Sequence, residues 1–235
     1  MSLLVLMYHR AGPGPDGNSP RMLDDHFGHI AEHYGCVLPG EALTRGRLNV
    51  CLSFDDGYYD FYAIVQPLLR KHGLRALLAV SPGRIPERTE AAGMARLLAA
   101  AESGGYCTWP ELRELANSGQ VRLAAHGFNH RRLDDPTADL RTEIASAQAQ
   151  LYARLGRSVD SFVFPFGRIS TPARWEVRKS YRYGFRIGGA DNRSWGQELL
   201  YRVPADGLSL PDQPFAPTRL ALYRARRYWN RLRGR

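Results

Sequence analysis

The stretch Asn49-Val50-Cys51-Leu52-Ser53-Phe54-Asp55-Asp56-Gly57 sets the reading of this chain. An apolar run stops abruptly at two adjacent carboxylates and a glycine. The run has the length and composition of a buried strand, and the glycine ends it. Two like charges at a strand's C-terminal end repel each other and resist desolvation, and a bound cation is the usual compensation. An ordinary Asp-Gly turn is the competing reading of this segment taken alone.

Similar runs recur along the chain. Residues 3–8, 74–80, 121–125, 161–164, 185–188 and 200–203 read as strands, and 11–20 as a Gly/Pro-rich loop. Helical spacing appears at 23–34, 58–72, 94–101, 108–119, 135–155 and 173–181. Thr108 and Glu111 have the spacing of a capping box, and Gly73 and Gly156 are natural helix stops. Strands alternating with helices predict a parallel α/β sheet. His9, Asp55/Asp56, His126, Pro165-Phe166-Gly167 and Asp191 all sit where strands end. In α/β barrels the C-terminal strand face is where sites are built, so this convergence favours a barrel over an open sheet.

A length of 235 residues suits one barrel-sized domain. The N-terminal apolar stretch 3–8 is too short for a membrane span or a signal-peptide core, and the expected location is cytoplasmic. Cys36, Cys51 and Cys107 form no metal-binding pattern and read as reduced thiols. The formal charge is +9, yet seven arginines and no acid lie between Gln213 and Arg235, which leaves +2 for the rest. We therefore divide the chain into a domain, 1–212, and a basic amphipathic tail, 213–235. The tail suits packing on the domain, contact with an anionic membrane surface, or nucleic acid, for which no binding module is evident.

His126 and His130 are four residues apart, so on a helical turn both rings could reach one ion. A surface histidine pair is the alternative. Two histidines and one carboxylate make a standard zinc set with an open position, and Asp56 could supply the carboxylate, leaving Asp55 as a base. His26, His29, His33 and His72 lie on helices and read as surface residues.

These segments resemble the motifs of polysaccharide deacetylases, the NodB-like carbohydrate esterase family 4. Ser53-Phe54-Asp55-Asp56-Gly57 is similar to the first motif, Thr-Phe-Asp-Asp-Gly. His126–His130 resembles the second, and Phe164-Pro165-Phe166-Gly167 the third. Met7-Tyr8-His9-Arg10 resembles the first strand of the branch acting on poly-N-acetylglucosamine. Order and spacing match over roughly residues 3 to 205. The resemblance implies a distorted, TIM-like (β/α)7 barrel with a divalent metal, usually zinc (or Co, Ni, Mn or Fe). It implies Asp56, His126 and His130 as ligands, Asp55 as general base and the Phe166 backbone N–H as oxyanion donor.

The departures are specific. Gly127 stands where the family has Ser or Thr, which removes a ligand-orienting hydroxyl. Val163 stands where many members carry Arg. The fourth motif survives only as Asp191-Asn192-Arg193-Ser194-Trp195, and no histidine follows His130. His9 is the expected general acid in place of the missing late histidine. Asp191 is expected to orient His9 or bind a sugar hydroxyl, and Trp195, Pro165 and Gly167 to line the substrate site. Arg202 is expected at the same site, with a charge able to replace the missing arginine near Asp55.

The expected function is metal-dependent removal of N-acetyl from an amino sugar. A bacterial surface polysaccharide or a lipid-linked precursor is the expected substrate, as in O-antigen, lipopolysaccharide or exopolysaccharide assembly. The tail would then touch the inner membrane peripherally. A metal- and carbohydrate-binding barrel with impaired catalysis is the alternative.

Overall fold

The computed structural model describes residues 2–12, 16–89, 95–97 and 105–233. The strands among them are β1 (Ser2–Tyr8), β2 (Arg10–Ala11), β3 (Gly17–Asn18), β4 (Gly35–Cys36), β5 (Leu48–Phe54), β6 (Ala76–Val80), β7 (Val121–Ala125), β8 (Ser161–Val163), β9 (Tyr183–Ile187) and β10 (Leu200–Pro204). β1 pairs in parallel with β5 along its whole length, from Ser2 opposite Leu48 to Tyr8 opposite Phe54. The order runs β5-β6-β7-β8-β9-β10 and returns to β1, all parallel. Seven strands thus close a parallel barrel, the (β/α)7 architecture expected. β4 extends the sheet beside the N-terminal half of β5.

Strand alternation divides the side chains between two cores. Leu3, Val5, Cys51, Leu77, Ala124 and Phe185 fill the barrel interior. Their neighbours Leu4, Leu6, Val50, Leu52, Leu78 and Leu123 face the helices. Trp195 closes the N-terminal end, with its Nε1–H donating to the Glu41 carbonyl at 2.9 Å and its ring against Tyr183 and Phe185.

The helices are α1 (Pro20–His33), α2 (Gln66–Lys71), α3 (Trp109–Asn117), α4 (Ala147–Leu155), α5 (Thr171–Ser180) and α6 (Pro217–Leu232). Side-chain caps open α1, α3 and α5, the last through Ser170 accepting from the Ala173 N–H. Ser19 accepts from the Met22 N–H ahead of α1, and the Thr108/Glu111 capping box opens α3 as predicted. π-helical segments, Phe61–Val65 and Arg141–Ser146, lead into α2 and α4. The helix expected from residue 135 starts later, because Asp135 accepts from Thr137 N–H in a turn of its own and Asp139 caps the chain after it. The helix expected over 94–101 lies outside the described residues except 95–97, which are helical.

One surface expectation changes. His26 is fully buried: its Nε2 meets the Tyr8 hydroxyl at 2.7 Å and its Nδ1 meets the Pro211 carbonyl. The residue lies on the apolar stripe of α1 with Leu23, Phe27 and Ile30, so amphipathic spacing, not polarity, decided its side. The tail packs on the domain, one of the readings given for it. α6 lies on the barrel's outer wall with Tyr223 buried, Arg227 paired to Asp191 at 2.6 Å and Asn230 donating to the Gly188 carbonyl.

Candidate active site

Asp55 and Asp56 follow β5 directly. Asp56 takes a left-handed backbone (φ 70°), and so does Gly57 (φ 75°), where an added Cβ would lie 2.7 Å from Val80 Cγ1. This turn sends the two carboxylates to different partners. Asp55 Oδ1 accepts from the Arg202 guanidinium at 2.6 Å, and the same nitrogen reaches Ser53 Oγ at 3.2 Å. Both Asp55 and Arg202 are buried. Burial pushes the Asp55 carboxyl up, but Arg202, then His126 and His9, outweigh it and hold the group below the usual carboxylate range.

Asp56, His126 and His130 place one ligand atom each within 4.8 Å of one another. His126 Nε2 lies 3.2 Å from His130 Nε2, and Asp56 Oδ1 lies 3.4 Å from His130 Nε2. Nδ1 of His126 is 2.8 Å from the Val163 carbonyl, which fixes the tautomer and leaves Nε2 with its lone pair inward. Burial first, then His126, pushes His130 down to about 4, so its ring is neutral, the form that binds a cation. Asp56 Oδ1 is buried and accepts no hydrogen bond. A buried orphan oxygen facing two imidazole nitrogens fits a divalent ion, and the donor set suits zinc chemistry.

The two histidines do not share a helical turn. Gly127 (φ 74°) and His130 (φ 58°) both take left-handed backbone in a loop after β7. Glu143 holds that loop. It is buried, accepts from the Asn129 backbone N–H at 3.1 Å and from Asn129 Nδ2 at 3.1 Å, and meets the Arg131 N–H at 3.4 Å. A Cβ on Gly127 would lie 2.7 Å from Glu143 Oε2. The glycine thus makes room for a carboxylate that fixes the loop between His126 and His130. Glu143 was legible only as an acid in register with the buried Ala147 and Leu151 of the same helical run.

On the opposite side of Asp55 stands His9, with Nε2 at 3.8 Å from Asp55 Oδ2. Asp206 grips it twice, accepting from the His9 backbone N–H at 2.9 Å and meeting Nδ1 at 2.6 Å. Burial opposes a charge on His9, yet the bond to Asp206 and the charges of Asp55 and Asp206 push it up to about 9. The sequence reading missed Asp206, although Ala205-Asp206-Gly207 after β10 repeats the Asp-Gly signal that follows β5.

Pro165–Gly167 forms a tight turn after β8. Phe166 takes φ 56°, stands half exposed and packs against His130 with ring centroids 4.6 Å apart. Pro165 is buried and touches the Gly127 backbone region, and a Cβ on Gly167 would lie 2.9 Å from Ile187 Cβ.

Two substrate-binding expectations are corrected. Asp191 lies beside the N-terminal end of β1, bonded to Ser2 Oγ at 2.9 Å and to Arg227, so it cannot reach His9. Trp195 plugs the same end of the barrel. Both follow from the path of the chain after β9, which must return to the opposite end before β10 begins. Arg202 sits at the site and gives Asp55 the charge expected in place of the missing arginine; at 1% exposed, it spends that charge there and not on a substrate.

The polysaccharide deacetylase family profile matches residues 43–185. The chain is 23% identical over 216 residues to YxkH of Bacillus subtilis (strain 168), covering 86% of this chain and 70% of that protein. Its fold is similar to that of IcaB from Ammonifex degensii, with a TM-score of 0.72 at 21% identity, covering 88% and 92% of the two chains. It is equally similar to the Streptococcus pyogenes deacetylase PplD, with a TM-score of 0.72 at 21% identity, covering 90% and 96%. With well over half of its length matched by the family profile, and the fold in agreement, this chain belongs to the polysaccharide deacetylase family and is a deacetylase hydrolase.

Proposed function

We propose that the protein is a metal-dependent N-deacetylase that hydrolyses the N-acetyl group of an amino sugar in a bacterial surface polysaccharide or its lipid-linked precursor. The observation that carries this reading is Asp55, buried between two unlike partners, the cation-ready set Asp56/His126/His130 on one side and the Asp206-held His9 on the other. A divalent ion held by Asp56, His126 and His130 would acidify water and polarise the acetyl carbonyl. Asp55, kept ionised by Arg202, accepts the water proton. His9 carries the proton that the poor amine leaving group needs and hands it over from the other side. The Phe166 backbone N–H, presented by its left-handed turn, serves as oxyanion donor, an interaction worth about 3 kcal/mol. Acetate and a free amine leave, and atoms balance with one water consumed.

The first-strand Tyr8-His9 pair and the absent late histidine support an activity on poly-N-acetylglucosamine-like chains, in exopolysaccharide or O-antigen assembly. The outward face of α6 supports a peripheral place at the inner membrane. Leu222, Trp229 and Leu232 are exposed on one stripe beside Arg226 and Arg233. Zinc-loaded protein is expected to release acetate from N-acetylglucosamine oligomers. Asp55→Asn is expected to lower kcat by about a thousandfold with zinc binding kept. Bound zinc with no acetate from any N-acetylated glycan would sink the proposal and favour a binding-only barrel.

A further inference from the structure

The connection from β9 to β10, residues 188–199, carries no helix. The outer wall between α5 and α6 is therefore left as a furrow in two linked parts. The upper part, about 520 Å³, starts at Phe166 and Gly167 beside the catalytic histidines. The lower part, about 590 Å³, ends against α6, and Arg174 and Leu199 line both. Six arginines line the furrow, Arg168, Arg174, Arg186, Arg193, Arg227 and Arg231, of which Arg174 is paired with Glu198 and Arg227 with the buried Asp191. Only two carboxylates, Asp134 and Glu198, line it with them. Two half-exposed aromatic rings line it, Phe166 at its head and Tyr228 at its foot, and Trp175 stands in a neighbouring hollow that shares Arg174 and Glu198.

We propose that this furrow is an extended subsite for an anionic glycan, a chain whose sugars bear carboxylates or phosphates next to the N-acetyl sugar being processed. Guanidinium groups bind carboxylate and phosphate through paired hydrogen bonds, and flat rings offer an apolar face to a pyranose. The alternation of the two along one concave track is the pattern a charged sugar chain matches. Its head at the Phe166 turn favours a glycan over another polyanion, because that turn borders the site that acts on polysaccharide. The inference rests on the deacetylase reading, and it names the class of substrate.

The test compares two oligosaccharides of equal length, one neutral and built of N-acetylglucosamine, the other alternating N-acetylglucosamine with glucuronate. Binding is measured by calorimetry and acetate release in parallel. The zinc-loaded protein is expected to bind the anionic oligomer about tenfold more tightly, an advantage that fades between about 50 mM and 500 mM NaCl. In the Arg168→Gln/Arg231→Gln variant the two affinities are expected to converge. Equal affinities in the unaltered protein, or an undiminished advantage in the variant, would overturn the furrow while leaving deacetylation standing. A single-stranded oligonucleotide bound as tightly as the anionic sugar would also overturn it, in favour of a nucleic-acid surface. Tight anionic binding lost in the variant, with no acetate from either oligomer, would keep the furrow and refute the deacetylase reading.

Discussion

Asp206 fixes His9 at the backbone and at the ring, so its effect is positional and electrostatic together. With His9 raised to about 9, its ring stays charged through neutral pH, and in the proposed role of proton donor it is expected to make kcat/KM fall as pH rises through about 9. Asp206→Asn removes the hydrogen-bonded charge that stabilises the imidazolium, and the alkaline limb should move down by about one unit or more. An unmoved limb in that variant would show that another group sets it. Glu143 acts on the Asp56/His126/His130 trio through the loop it holds. Glu143→Ala is expected to weaken zinc binding by about 10- to 100-fold, measured by competition with a chelator, and Glu143→Gln should recover part of it. Gly127 and Glu143 act as a pair in space: the missing Cβ leaves room for the buried carboxylate that holds the Asn129 backbone.

α6 shows how charge is read differently at the level of an element. Its arginines look like a solvated row in the sequence, yet Arg227 meets a buried acid that also accepts from Ser2. Arg227→Ala strands Asp191 without its cation and is expected to cost about 3 kcal/mol, visible as a lower urea midpoint. Asp191→Asn combined with Arg227→Ala should recover part of that loss, because no buried charge remains. Equal stabilities of the single and double variants would mean that the packing of α6, not the ion pair, sets the cost. The late start of the Arg141 helix follows from side-chain-to-backbone bonds at Asp135 and Asp139, which outcompete the first helical turn.

For the molecule as a whole, His26 ties β1 to α1 and to the segment before α6 through Tyr8 and Pro211. Burial pushes it down to about 4, so the folded state keeps it neutral while the unfolded chain takes up a proton near 6.5. Stability is thus full above about 6.5 and falls as pH drops toward 4, by about 3 kcal/mol over that window. Equilibrium unfolding at pH 7 and pH 4.5 measures this, and His26→Gln should flatten the difference. Closure of the barrel also explains the chemistry. β1 lies between β5 and β10, and that adjacency alone brings His9, Asp55, Arg202 and Asp206 together from opposite ends of the chain.

Local physics was legible in the sequence. The period of the apolar runs, the Asp55-Asp56-Gly57 turn, the capping box at Thr108 and the stop at Gly156 each depend on neighbours a few residues away, and the barrel follows from their alternation. The cation-ready trio was legible for the same reason, as residue types at strand ends. Partners were not, because hydrogen bonding across a closed sheet depends on which strands meet and at what register. Arg202 and Asp206 find Asp55 and His9 only after closure, Glu143 reaches the His126 loop from the next helical run, and Asp191 and Trp195 are carried to the far end by a chain that must turn back before β10.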